Sequence, residues 1–371
     1  MIPRKPSQPL QRATQTTRKD VGPSRARRAL LLGAVTPLIL VGGCTTSLPS
    51  DTNAQSEPIL ALPALSATEE LRDEIVRVDA AVAKSAAGLH LPDVELAAEQ
   101  RLEAGGGLWD PWVDVDFEER PNLVVEQPMS LESAPSGEEE LAEFMLETGA
   151  AQLQLVSTSP GLTASERLAL ASILSGRVVS GAALQVSSGK TPTATPYLGL
   201  FDDVEVEALP QSGSQLDTGQ SGTLSEAPGL SNVQESSALN VYDCVASSLL
   251  RVESSKANTI PGVRKLATKL EQRVVLLREM GAYDARGPRC IYADATADEL
   301  LQQLVYTDLE LLESESFATR ALAAKYLFQD SVLWAKIVST KANQVSLLLD
   351  RPTSLDNSQS GDGQTQSADG K

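Results

Sequence analysis

The chain has 371 residues, of which 42% are hydrophobic and only 4% aromatic, and its formal net charge is −18. That length supplies one or two cores of ordinary size, and an apolar content led by Ala and Leu favours helices over sheets. Residues 1–43 hold eight Lys/Arg and one acid, so the remainder carries 23 basic and 48 acidic residues, a net −25; such a surface repels nucleic acid and anionic headgroups, and nucleic-acid binding is excluded.

A basic stretch, Ser24-Arg-Ala-Arg-Arg28, precedes an apolar run, Ala29-Leu-Leu-Leu-Gly-Ala-Val-Thr-Pro-Leu-Ile-Leu-Val41, and then Gly42, Gly43 and Cys44. This is the layout of a secretory signal: charge, a short apolar region, small residues at the cut. The run is shorter than the ~20 residues of a membrane span, and Pro37 interrupts it. Arg27-Arg28 also fits a twin-arginine export signal. Val41-Gly-Gly-Cys44 resembles the lipobox of bacterial lipoproteins. That resemblance implies a signal peptide over 1–43, a lipid on the Cys44 sulfur and Cys44 as the new N-terminus. Two or more acyl chains anchor firmly where one binds marginally. The segment 44–64, rich in Ser, Thr and Pro, then reads as a flexible tether.

Four Ser/Thr-x-x-Glu capping boxes stand ahead of apolar-periodic stretches: Ser66/Glu69, Ser136/Glu139, Thr163/Glu166 and Thr296/Glu299. The first opens a helix over about 66–88, with Leu71, Ile75, Val78 and Val82 at helical spacing. A shorter helix covers about 92–104, and after the loop Gly105-Gly-Gly-Leu-Trp109-Asp-Pro-Trp112 come helices over about 137–157 and 164–185. Residues 65–186 thus form an N-terminal helical region. Residues 187–235 carry Thr191-Pro-Thr-Ala-Thr-Pro196 and a Ser/Gly/Gln stretch, and read as a low-complexity linker.

Four more helices follow within 236–345. The first spans about 236–255. Pro261 opens the second, whose stripe is Val263, Leu266, Ala267, Leu270, Val274 and Leu277, with Gly281 suited to its C-terminal cap. Thr296 caps the third, with Leu300, Leu301, Leu304, Leu311 and Leu312. The fourth, about 317–341, carries Ala321, Ala324, Leu327, Val332 and Trp334. Short connections make an up-down bundle the natural arrangement, and the tail 346–371 reads as disordered. The expected fold class is all-α.

Within this last part, Leu266-Ala-Thr-Lys-Leu-Glu-Gln-Arg-Val-Val-Leu-Leu-Arg-Glu-Met-Gly281, Ile291-Tyr-Ala-Asp-Ala-Thr296, Leu309-Glu310 and Leu333-Trp334-Ala335 resemble a ferritin-like domain family of unknown function found in actinobacterial lipoproteins. The resemblance covers 238–341. It implies a ferritin-like four-helix bundle in an envelope setting and brings no activity with it.

Few chemistries survive inspection. A di-iron bundle needs Glu-x-x-His on two helices, but the only histidine is His90. Glu253, Glu271, Glu310, Glu313 and Glu315 have none three residues on. His90, in Gly88-Leu-His-Leu-Pro92, reads as a helix-end residue rather than a catalytic base. Gly189-Lys190-Thr191 lacks the glycine a phosphate loop needs, since Leu184 stands in its place. A Ca²⁺ loop in the acidic cluster Asp110, Asp114, Asp116, Glu118 and Glu119 would want Gly and Glu where Glu119 and Val125 stand. Trp109 and Trp112 read as a plug at a bundle end, with a ligand grip as the alternative. Cys244 and Cys290 are expected to pair as a disulfide outside the cytoplasm, the alternative being two buried thiols.

No cofactor and no metal are expected. The reading is a non-enzymatic binding or scaffolding component on the outer face of the cytoplasmic membrane, held through its lipid anchor, with an envelope protein or small apolar ligand as partner. The alternatives are an envelope hydrolase using paired carboxylates and a carrier of an apolar ligand.

Overall fold

The computed structural model describes residues 59–115, 135–201, 233–254, 262–284 and 295–342, with short pieces around 117, 124–126, 128, 286 and 290. The signal, Cys44, Pro261, Asp116, Glu119 and the tail lie outside the described residues. The fold is all-α. Its helices are α1 Ala67–Gly88, α2 Pro92–Ala104, α3 Glu138–Thr158, α4 Ala164–Ser187, α5 Val233–Ser254, α6 Val263–Glu279, α7 Ala297–Leu311 and α8 Phe317–Ala342, with a 3-10 helix over Thr195–Phe201.

Local chemistry explains most boundaries. Ser66, Thr163 and Thr296 each accept the backbone N–H three residues on, and Glu69, Glu166 and Glu299 reach back to the cap, so α1, α4 and α7 open on complete capping boxes. The Ser136/Glu139 box does not form. Helix α3 begins at Glu138 with Gly137 as its cap and no side-chain cap bond, which leaves Ser136 one residue too early; Glu139 pairs instead with Lys190. Gly281 adopts φ 93°, and Ala282 N–H returns to Leu277 O, closing α6 as expected. His90 takes the same left-handed role, at φ 59°, where α1 turns into α2.

Helix α8 packs on α3, α4 and α7, while α5 packs on α6 and α7, and the α1–α2 hairpin lies against α3 and α4. One apolar core therefore runs from Leu153 and Leu174 through Leu327 to Leu239, Leu270 and Leu304. A smaller cluster joins Val82 and Ala98 to Leu141 and Met145. The helices on either side of 187–235 share a core. Part of that segment is itself structured: the rings of Tyr197 and Phe201 each lie 5.7 Å from that of Phe328. Helix α4 is apolar and long enough to cross a membrane, yet most of it is buried within the protein.

Candidate functional site

Among the described residues, each half of the helix array carries a buried cluster of charged side chains. In the second half, α5 supplies Tyr242, α6 Arg273, α7 Asp308, and α8 both Tyr326 and Asp330. Arg273 holds Asp330 by two hydrogen bonds, Nη1 to Oδ2 at 2.6 Å and Nη2 to Oδ1 at 3.0 Å, and its Nη1 lies 3.5 Å from Asp308. The guanidinium stacks 4.0 Å above the Tyr326 ring. Tyr242 donates its hydroxyl proton to Asp308 Oδ1. Burial, then the charge of Asp330, pushes the Asp308 carboxyl well above the ordinary aspartate range, against the pull of Arg273. Burial and Asp308 likewise raise the Tyr242 phenol. The group thus sets one guanidinium against two interior carboxyl groups, and burial disfavours charge on Asp308.

The first half repeats the plan. Asp79 of α1 accepts from Arg101 of α2, Nε to Oδ1 at 2.8 Å, and from Arg177 of α4, Nη2 to Oδ2 at 2.7 Å. Arg177 also reaches Gln152 of α3 and the Ile75 carbonyl. All three charged side chains are fully buried. Burial opposes the Asp79 charge, but Arg177 and Arg101 outweigh it and hold the carboxyl below its ordinary value. Two guanidiniums face one carboxylate, and Arg101 Nη2 is left without a partner.

These donors do not fit the di-iron centre a ferritin-like bundle would carry. Arg273 already brings positive charge to both interior carboxylates of its cluster. Among the described residues no three His, Cys, Asp or Glu side chains gather closely enough to hold an ion.

The residues singled out from sequence lie elsewhere. Glu271 and Glu315 are exposed, and Glu310 and Glu313 half-buried, outside the cluster. Gly189 and Lys190 form the capping turn of α4, with Lys190 N–H bonded to Gln185 O. His90 is exposed. Asp110 accepts the backbone N–H of Trp112, the ring N–H of Trp112 donates to Glu126 O, and the backbone N–H of Trp109 donates to Asp73. The two tryptophans are half-buried, and Trp109 closes a groove of about 680 Å³ between residues 62–65 and the Glu70–Arg77 face of α1. Cys244 and Cys290 are paired, with Cα atoms 5.1 Å apart.

Around the Trp loop, large apolar side chains face solvent: Ile59, Leu60, Leu108, Val113, Phe117 and Val124, with Val113 75% exposed. Backbone bonds tie Leu60 to Val124 and Glu126, which brings Leu60 against this loop.

No family model, curated protein or solved structure matches this chain.

Sequence reasoning missed the two interior clusters. A signal existed, since Asp79, Arg273, Asp308 and Asp330 occupy positions that the helical period assigns to the core.

Proposed function

We propose that this protein is a lipid-anchored, non-enzymatic component of the outer face of the cytoplasmic membrane that binds or scaffolds an envelope partner. The observation that carries the reading is the collection of exposed apolar side chains around Val113 and Phe117, with Leu60 bonded to Val124 nearby. Large apolar side chains left exposed near one another in the chain are candidates for an interaction site. The anchor itself rests on the Val41-Gly-Gly-Cys44 resemblance. The ferritin-like reading of α5–α8 rests on the sequence resemblance over 238–341.

A second reading, a hydrolase working through paired acids, is favoured by Asp308, a carboxyl whose pKa burial raises, beside Asp330. It requires a substrate to reach a side chain that has no contact with water.

Photo-crosslinking of the full chain in a bacterium that processes lipoproteins tests the first reading. A photoreactive residue at Val113 should capture a discrete partner, and one at Leu155, exposed on α3, should not. Equal capture at both, or none at Val113, overturns it. Cys44→Ala should release the protein from the membrane fraction, and retention there would overturn the anchor.

A further inference from the structure

The interior cluster of α5–α8 is not sealed on every side. A pocket of about 220 Å³ opens between α6, α8 and the turn at 192–195, and its lining includes Arg273 and Asp330, the bidentate pair at the heart of the cluster. Only 4% of either side chain is exposed. They form a polar floor, flanked by apolar residues of α6 and α8.

The charges around this pocket do not cancel. Arg273 and Asp330 neutralise one another, and Asp330 is the only acid in the lining. Lys269 of α6 and Lys336 of α8 remain, both exposed, and neither is paired with a carboxylate among the described residues. The pocket therefore holds a surplus of two positive charges, in a chain that carries −25 beyond residue 43. Both line the same cavity, one from each helix, and two positive charges without a carboxylate beside a cavity favour an anion in that cavity. Thr193 and Thr195 border the same pocket and add hydroxyl donors, with Thr193 Oγ1 already turned to Thr195 at 3.2 Å.

We propose that this pocket binds a compact dianion of the phosphate type, free in solution or as the end group of a larger molecule. Two ammonium groups match two negative charges, and lysine binds phosphate as a point charge without needing a planar fork. The volume admits a phosphate group with a few attached atoms. Arg273 stays on Asp330, and its role is to keep the floor polar and the two helices in place. The site is separate from the apolar surface around Val113, so it stands or falls independently of the scaffold reading.

The test uses the full chain in detergent and three probes: inorganic phosphate, chloride at matched ionic strength, and phosphatidylcholine vesicles with and without phosphatidic acid. Phosphate should raise Tm saturably where chloride does not. Lys269→Gln/Lys336→Gln should unfold at the unliganded wild-type Tm and weaken phosphate at least about tenfold. Lys84→Gln/Lys265→Gln, which removes equal charge from exposed sites outside the pocket, should bind as wild type. Phosphatidic-acid-dependent vesicle binding that requires Lys269 and Lys336, without response to free phosphate, would also support the site and identify a lipid headgroup as the source. No response to either probe, or a response equal in both double variants, overturns it.

Discussion

Arg177 grips Asp79 from 98 residues away, Nη2 to Oδ2 at 2.7 Å and Nε to Oδ1 at 3.2 Å, with neither side chain exposed. Arg273 and Asp330 repeat the relationship in the other half of the protein, again joining an early helix pair to a late one. Apolar faces rich in Ala and Leu tolerate sliding and rotation. A buried carboxylate with a fixed guanidinium does not, because any shift strands a charge in a medium that solvates it poorly. The two clusters therefore set the register in which α1 meets α4 and α6 meets α8.

Asp79→Ala removes the one negative charge between two buried guanidiniums. Uncompensated buried charge of this kind costs about 3–5 kcal/mol, so we expect the urea midpoint to fall steeply. Arg101→Leu should cost less, because Arg177 still pairs with Asp79 and the orphaned Arg101 Nη2 is removed as well. The pH dependence has a definite sign. The Asp79 carboxyl titrates below its ordinary 3.8 in the folded state; its contribution is complete above that value and is lost as pH falls through the lower, folded one. Equal losses for the two variants would show that Asp79 matters to the cluster no more than Arg101 does.

Asp308 should behave oppositely. Its folded carboxyl holds a proton well above 3.8, where the unfolded chain has released it. Its contribution to stability therefore falls as pH rises from 3.8 through the folded value. Asp308→Asn mimics the protonated acid, keeps an acceptor for the Tyr242 hydroxyl, and should flatten this slope while changing neutral-pH stability by less than about 1.5 kcal/mol. Asp330→Asn breaks the bidentate pair with Arg273 and should cost about 3–5 kcal/mol. Urea unfolding of both variants across pH separates the roles, and a steep loss for Asp308→Asn would mean that the group works as an anion.

The helices were legible because their signals are local. Ser66, Thr163 and Thr296 announce starts, Gly281 a stop, and the stripe from Val263 to Leu277 a buried face. The Ser136 box failed because an identical four-residue pattern carries no information about which residue begins the helix, and Gly137 accepts the cap position without a side chain. The polar clusters were illegible for a different reason. Asp79 follows Ile75 by four and Arg273 follows Leu270 by three, so both stand on core faces. One helix cannot reveal whether a charge there marks the edge of a stripe or meets a partner nearly a hundred residues away. Nor does sequence show the shared core of α3, α4 and α8, since the low-complexity stretch between α4 and α5 looks like a domain boundary.

The Cys244–Cys290 link closes a separation of 46 residues and ties α5 to the loop before α7. Loop-closure entropy puts its contribution at about 4 kcal/mol. Reductant, or Cys244→Ser/Cys290→Ser, should lower stability by up to that amount, and the intact mass should rise by the two hydrogens of the opened bond. Wild type and the double variant should then unfold alike in reductant. A midpoint that reductant leaves unchanged would show that the link does not form in solution.

Helices α3 and α4 approach through glycine. A Cβ added at Gly149 would lie 2.6 Å from Val178 Cγ2, and one added at Gly181 would lie 2.9 Å from Met145 Cβ and 3.1 Å from the Ala142 carbonyl. Two effects compete on substitution. Alanine gains roughly 1 kcal/mol in a helix interior, and overpacking a core costs about 1–3 kcal/mol. At Gly88, the last residue of α1, nothing stands within 4 Å of the new Cβ and the helix-interior gain is reduced, so Gly88→Ala should be close to neutral. At Gly181 the obstacle includes backbone, which cannot rotate away, and the crowding should win. At Gly149 the obstacle is a single side-chain methyl. Gly149→Ala should therefore destabilise alone and be partly rescued by Val178→Ala, a positive coupling in the double-mutant cycle. Additivity of those two changes would mean that α3 and α4 separate to admit the methyl, and that the close glycine contact does not fix their distance.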